Sequence, residues 1–447
     1  MKPTRSRIAA LVGALTLACA SQANDAFVDW SRAHATALRT LDGKQDAIDA
    51  DVLRRVFGKA RVVALGEPAH GAHEPLALRN RLFQNLVEQL GFTAIALESG
   101  LSESRRVNDF VMGGPGDAQQ IAHAGLTWGF GDYGENVELL RWLRQYNEDA
   151  AHTRKVKFYG IDLSGGDSNG QLSAARIALE DALTYLSRVA PESSRRARRA
   201  AEPFLARFTH EGYVALSPDE RAQLDVAIDD LIAIFEKDRQ SFIAASSSAD
   251  CEWAYRNAIV ARQIAQMFRA WPADTPGDAP TPGLYKAVEA RDAAMADNVR
   301  WVLEREGPAG RVLVFAHNAH VMNAPVRGGI WDVYPKPLTT AGQHLRATMR
   351  DDLLIIGTSS AKNGAGLPAA TGAATSVDTA LAGVGLPEFL LDLREARHSP
   401  AAAAWLDQPQ SMRANFTTEL SLTPQDAFDV LVFVDRLTPV DLSRRRE

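Results

Sequence analysis

Between Arg61 and Gly100 two short apolar runs flank one amphipathic stretch, and this pattern constrains the fold more than any other. The first run, Val62-Val63-Ala64-Leu65, has the length of a buried strand. It breaks at Gly66-Glu67-Pro68-Ala69-His70-Gly71, a turn-forming cluster that carries a carboxylate and an imidazole. Leu76, Leu78, Leu82, Phe83, Leu86, Val87 and Leu90 then recur at a period of about 3.6 residues, and Gly91 stops the helix they predict. A second strand from Phe92 to Leu97 delivers Glu98 at its end. Strand, helix and strand in this order make a βαβ unit, which requires a parallel pair.

The same alternation returns downstream. Val156–Ile161 reads as a strand ending in Asp162, and Val312–Phe315 as one ending in Ala316-His317-Asn318-Ala319-His320. Leu353–Ile356 leads into Gly357-Thr358-Ser359, and two further strands are expected near Phe389–Leu391 and Leu431–Val434. Strands alternating with helical segments predict an α/β fold, with a mostly parallel central sheet flanked by helices. Residues 24–169 and 284–447 would form the two halves of that core. Residues 170–283 would be a helical insertion, a lid over the active-site edge, ending in the Pro- and Gly-rich run 272–283.

Parallel strands in an open α/β sheet send their carboxyl ends to one edge, where ligands bind. Four expected strand ends carry titratable groups: Glu67 with His70, Glu98, Asp162, and His317 with His320. Singly, a glutamate after a strand is a helix cap or surface charge, and a histidine is structural. Together at one half-buried edge they would cost several kcal/mol each unless paired. Such a cluster therefore points to chemistry rather than stability. Two mechanisms suit these residue types. In the first, His70 is a general base for water, with Glu67 or Glu98 orienting its ring, while His317 and His320 hold the water or stabilise an oxyanion. In the second, the same groups bind a divalent metal that acidifies the water. The preferred reading requires no cofactor. A third alternative is a non-catalytic protein that sequesters a ligand in the cleft.

Two motifs are missing. His73-Glu74 cannot begin a HExxH zinc helix, because Ala77 occupies the second histidine position. The chain contains no phosphate-binding Gly-Lys-Ser/Thr loop. Arg79, on the helix after His70, reads by itself as a salt-bridging arginine that could also orient a carboxylate or bind substrate oxygens.

Lys2, Arg5 and Arg7 precede the apolar run Ile8–Ala18, and small residues follow, the pattern of an export signal over residues 1–23. The expected destination is the periplasm or the medium. Thr16-Leu17-Ala18-Cys19 is a poor lipoprotein signal, so an anchor on Cys19 is a minor alternative. Loss of the leader takes the formal charge from −6 to about −9, which disfavours nucleic acid and anionic membrane as partners. No other run is long and apolar enough to span a bilayer. Cys251 alone remains in the mature chain, which excludes an intrachain disulfide and a cysteine-based metal site.

These residues resemble the erythromycin esterase family. Gly66-Glu67-Pro68-Ala69-His70-Gly71 is similar to its Gly-Glu-x-x-His-Gly turn, and Glu74 and Arg79 stand where the family has an acid and an arginine. Gly91-Phe92 leading to Glu98, Gly160-Ile161-Asp162, Arg291-Asp292-Ala293-Ala294-Met295-Ala296 and Ala316-His317-Asn318-Ala319-His320 resemble further family segments. The resemblance implies an α/β core with a helical lid, and hydrolysis of a macrolide lactone or other carboxylic ester by water. It puts family roles on Glu67, His70, Glu74, Arg79, Glu98, His317 and His320, and leaves metal dependence open. The implied partner is a small-molecule ester or lactone.

Overall fold

The computed structural model describes residues 22–38, 48–271, 282–333, 336–368 and 376–442. Nearly all of the expected leader lies outside these residues, as does most of the run 272–283. Ten strands occur among the described residues. They are β1 (Thr36–Ala37), β2 (Val62–Glu67), β3 (Ala94–Gly100), β4 (Lys157–Asp162) and β5 (Val312–His317). After these come β6 (Leu353–Asn363), β7 (Glu388–Asp392), β8 (Gln410–Ala414), β9 (Thr418–Leu422) and β10 (Val430–Leu437). The expected α/β class, with a mostly parallel sheet flanked by helices, is what the structure shows.

The chain divides into two compact units, and it passes between them inside β5. The first comprises residues 1–90, 316–332 and 346–439. Its strands run in the order β1-β7-β10-β6-β2. β10 and β2 pair parallel with β6 on its two sides, while β7 lies antiparallel to β10. Every residue of β2 is buried, as expected of a parallel strand covered on both faces. Val62, Val63 and Leu65 are fully buried there, each contributing roughly 1.5–3 kcal/mol of hydrophobic stabilisation. The helix His73–Leu90 buries Leu76, Leu78, Leu82, Phe83, Leu86 and Val87, the apolar face expected from the sequence.

The second unit comprises residues 91–315, 333–345 and 440–447. In it β3 lies between β4 and β5, parallel to both. The long helices of this unit include Ile177–Val189, Pro191–Leu205, Pro218–Ala245, Ser248–Ala270 and Pro282–Glu306. The start of Pro218–Ala245 is explicit in the sequence: Ser217 and Glu220 form a reciprocal capping box, with Pro218 in the first turn. Asn298 of the helix Pro282–Glu306 is fully buried and donates to the Ile161 carbonyl at 2.7 Å, fixing that helix to the end of β4.

Three strands escape sequence reading. β1 is two residues long, and the β8–β9 hairpin mixes polar and apolar residues without a clear run. β6 also extends well past its apolar start, through the polar and buried Thr358, Ser359 and Ser360.

Candidate active site

The first cluster lies wholly in the first unit. Glu67 ends β2 with its side chain buried, and His70 follows three residues later on the turn. The His70 ring donates from Nδ1 to Glu67 Oε1 at 2.7 Å. A carboxylate can only accept, so this contact fixes the His70 tautomer with its proton on Nδ1 and the lone pair on Nε2. His70 is about one-third exposed, whereas Glu67 is enclosed. Among the described residues Glu67 Oε2 is buried without a hydrogen-bond partner.

His317 closes β5 and faces this pair. Its ring centroid lies 5.2 Å from that of His70, with the rings tilted by 56°. His317 caps the single helical turn Asn318–Val321, and its Nδ1 accepts from the Ala319 backbone N–H at 3.1 Å. The acceptor role of Nδ1 places the proton of the neutral ring on Nε2, the opposite tautomer to His70. His320 sits on the same turn and is half-buried. Residues almost 250 positions apart in sequence thus meet, as the strand-end argument predicts.

Two other expected residues in this unit have their polar atoms engaged in structure. Both Glu74 oxygens accept from Thr438, Oε2 from the backbone N–H at 2.7 Å and Oε1 from the hydroxyl at 2.6 Å. Glu74 thereby ties the start of the helix His73–Leu90 to the end of β10. Arg79 is almost fully buried and donates from Nε and Nη2 to Asn80 Oδ1 at 3.0 and 2.7 Å.

Glu98 and Asp162 form a second cluster, in the second unit. Asp162 ends β4, and Glu98 lies two residues before the end of β3, which runs on past the expected Leu97 to Gly100; the β3–β4 register shifts between Leu97 and Gly100, re-aiming the end of β3. Gly160 makes this possible, since a Cβ there would lie 2.4 Å from the Ser99 carbonyl oxygen. Arg291, from the helix Pro282–Glu306, binds both acids. Its Nη2 reaches Glu98 Oε1 at 2.9 Å and Asp162 Oδ2 at 2.6 Å, and its Nε reaches Asp162 Oδ1 at 3.0 Å. Burial pulls the Arg291 pKa down, but Asp162 and then Glu98 outweigh it and the net shift is upward. Trp128 donates from its indole to Asp162 Oδ2 at 3.0 Å, and the Arg291 guanidinium lies 5.3 Å from its ring centroid. Trp128 holds a left-handed backbone at φ 63°, unusual for a bulky residue.

Arg291 is the residue that sequence reasoning did not single out as a site residue. Two buried strand-end acids demand a cation, and that demand was the available signal. As for metals, among the described residues no three His, Cys, Asp or Glu side chains assemble into a group able to hold one.

Within a mostly parallel α/β scaffold, a carboxylate–imidazole pair, Glu67 with His70, faces a second histidine, His317. The erythromycin esterase family profile matches residues 87–437, beginning just downstream of Glu67 and His70, and the chain belongs to the erythromycin esterase family, a family of hydrolases. It is 28% identical over 325 residues to erythromycin esterase type II of Escherichia coli, covering 70% of this chain and 72% of that one. It is 33% identical over 120 residues to erythromycin esterase type I of the same species, 27% of this chain and 28% of that one. Among solved structures, a Bacillus cereus protein superposes with a TM-score of 0.76 at 23% identity, over 94% of this chain and 99% of that one. A mutant erythromycin esterase EreC in its open conformation gives 0.67 at 18% identity, over 91% of this chain and 99% of that one. These two likenesses bear on the fold alone.

Proposed function

We propose that the chain is an esterase that hydrolyses a carboxylic ester or macrolide lactone with water activated by His70. The observation that carries this reading is the 2.7 Å hydrogen bond from His70 Nδ1 to the buried Glu67 carboxylate. That bond leaves Nε2 as the basic atom and stabilises the imidazolium formed when the ring takes a proton. Water gives its proton to His70 Nε2 and attacks the ester carbon. The resulting oxyanion accepts from His317 Nε2–H, which the Ala319 amide orients through Nδ1. Collapse of the tetrahedral intermediate expels the alkoxide, which recovers the proton from His70. His320, on the same turn as His317, assists in holding the water or the oxyanion. Glu98 and Asp162 are both engaged by Arg291 within the second unit. Glu74 and Arg79 hold the helix after His70 in place.

The Escherichia coli relatives are named for erythromycin, which makes a macrolide lactone the first substrate to try and resistance to such compounds a candidate role. The reading includes export, on the charged and then apolar pattern of residues 1–23. The test is a mass-spectrometric screen of macrolides and simple esters for products heavier by one water or split at the ester. Turnover that vanishes in His70→Ala, with the variant folded, supports the reading. A His70→Ala protein as active as its parent, or no product from any ester or lactone, overturns it.

A further inference from the structure

We propose that Asn318 is a positioning residue, whose carboxamide replaces a missing strand beside Thr358 and thereby sets His317 opposite His70. The proposal deepens the reading of His70 and His317 given above and rests on it for its kinetic arm.

The argument begins with an interruption in the sheet. β2 pairs with β6 from Val62 opposite Leu353 to Leu65 opposite Ile356, and the pairing ends there. β6 continues to Asn363, still paired with β10 on its other side. Beyond Ile356 the β2-facing edge of β6 therefore has backbone groups that its neighbouring strand no longer satisfies. Buried backbone groups left in that state cost about 1–3 kcal/mol each.

Asn318 fills the gap. Its Oδ1 accepts from the Thr358 N–H at 3.1 Å, and its Nδ2 donates to the Thr358 carbonyl at 2.8 Å. The N–H and C=O of one strand residue point to the same side, so a primary carboxamide can engage both, as a neighbouring strand would. Asn318 and Thr358 are both fully buried, and no solvent competes for either bond. The fit also dictates the residue on β2. A Cβ at Gly66 would stand 2.2 Å from Asn318 Oδ1 and 2.8 Å from Val321 Cγ2, so only glycine lets the turn Asn318–Val321 settle between the diverging strands.

This anchor acts on the histidine next to it. His317 is the preceding residue, and its ring is held by the Ala319 N–H of the same turn. The turn is only four residues long and cannot hold its own position by helical hydrogen bonding. The Asn318–Thr358 pair is thus the bolt that fixes the turn, the His317 tautomer and the spacing of His317 from His70. Asparagine is chemically specific in this position. Aspartate is nearly the same shape, but its ionised form would aim an acceptor at the Thr358 carbonyl. Protonated aspartate restores one donor and one acceptor and so imitates asparagine.

The test uses the full-length protein with Asn318→Asp as the main variant, and an ester or lactone found to be turned over by the parent. At about pH 8 kcat is expected to fall roughly 10- to 100-fold with KM within about threefold, the effect of a small displacement of a reacting group. That deficit is expected to shrink as the pH is lowered to about 6 and the aspartate takes up its proton. A deficit of equal size at both pH values, or none, overturns the proposal. A second arm needs no activity: 15N shifts of the His317 ring, assigned by comparison with His317→Gln. A single Nε2–H tautomer in the parent and a mixed or altered signal in Asn318→Asp at about pH 8 are expected, and an unchanged signal overturns the proposal. Loss of the esterase reading, seen as undiminished turnover in His70→Ala, removes the kinetic arm and leaves the ring signal to decide.

Discussion

His70 and His317 stand 5.2 Å apart between ring centroids, and their Nδ1 atoms do opposite things. One donates to the Glu67 carboxylate; the other accepts from the Ala319 amide. One turn of loop and one turn of helix therefore give two histidines different tautomers, a basic Nε2 and an Nε2 that donates. On the proposed mechanism, that is the division between a general base and an oxyanion donor.

The Glu67 carboxylate is expected to be worth far more than its geometry. In Glu67→Gln the amide oxygen can still accept from His70 Nδ1, but the charge that stabilises the imidazolium is gone. The expected loss in kcat is about 10²- to 10⁴-fold, with KM little changed. Steady-state kinetics on the folded variant check this, and a loss under threefold would remove Glu67 from the proton transfer.

Arg291 is expected to matter to stability as well as to the site. Arg291→Met leaves Glu98 and Asp162 facing each other as buried acids without their cation. Breaking a buried ion pair from one side costs about 3–5 kcal/mol. Urea unfolding should show the midpoint drop, and Asp162→Asn in the same background should restore part of it by removing one stranded charge. Equal midpoints for Arg291→Met and the parent would contradict the ion-pair geometry.

Gly160 is expected to resist even the smallest side chain. In Gly160→Ala the new methyl would meet the Ser99 and Gly100 carbonyl oxygens at 2.4 and 2.5 Å, so β3 must draw away from β4. Overpacking of this kind costs about 1–3 kcal/mol. Thermal unfolding measures it, and an unchanged midpoint would contradict the close approach of β3 to Gly160.

Stability should decline as the pH rises across the mildly acidic range. Burial pushes the Asp181 carboxyl up to about 6. The folded protein then holds a proton that the unfolded chain releases near pH 4, so the stabilisation is complete below about 4 and lost as the pH rises through about 6. Burial of Asp181 is partial and the residue keeps contact with solvent, so screening limits the effect to about 1 kcal/mol or less. Glu103 adds to the trend, its pKa raised by burial against the opposing pull of its hydrogen bond from the Gly165 N–H. Asp181→Asn should flatten the urea midpoint between about pH 4 and 7, and an unchanged slope would show that the charge lies elsewhere.

Metal content is a separate test. On the proposed reading, which requires no cofactor, purified protein is expected to carry well under one equivalent of divalent metal. Turnover should likewise survive a chelator. Stoichiometric metal on elemental analysis, with activity lost on its removal, would restore the metal-bound mechanism.

The sequence by itself determined which polar groups stand at or near the strand ends. Apolar runs stopped by Glu67, Glu98, Asp162 and His317 announce where a parallel sheet places its polar groups, because burial on both faces demands apolar runs and the chain must break them where it leaves the sheet. The periodic leucines fixed the helix after His70 for a similar reason. What only the tertiary structure decided was which group partners which. The choice of Glu67 for His70, the Arg291 clamp on Glu98 and Asp162, the engagement of both Glu74 oxygens by Thr438, and the Asn318 carboxamide against Thr358 all join residues distant in sequence or depend on a few tenths of an ångström. Hydrophobic patterning is local and periodic, so it can be read along a chain. Hydrogen-bond partnership depends on where the backbone runs after packing, and only there do two histidines of the same type take opposite hydrogen-bonding roles at Nδ1.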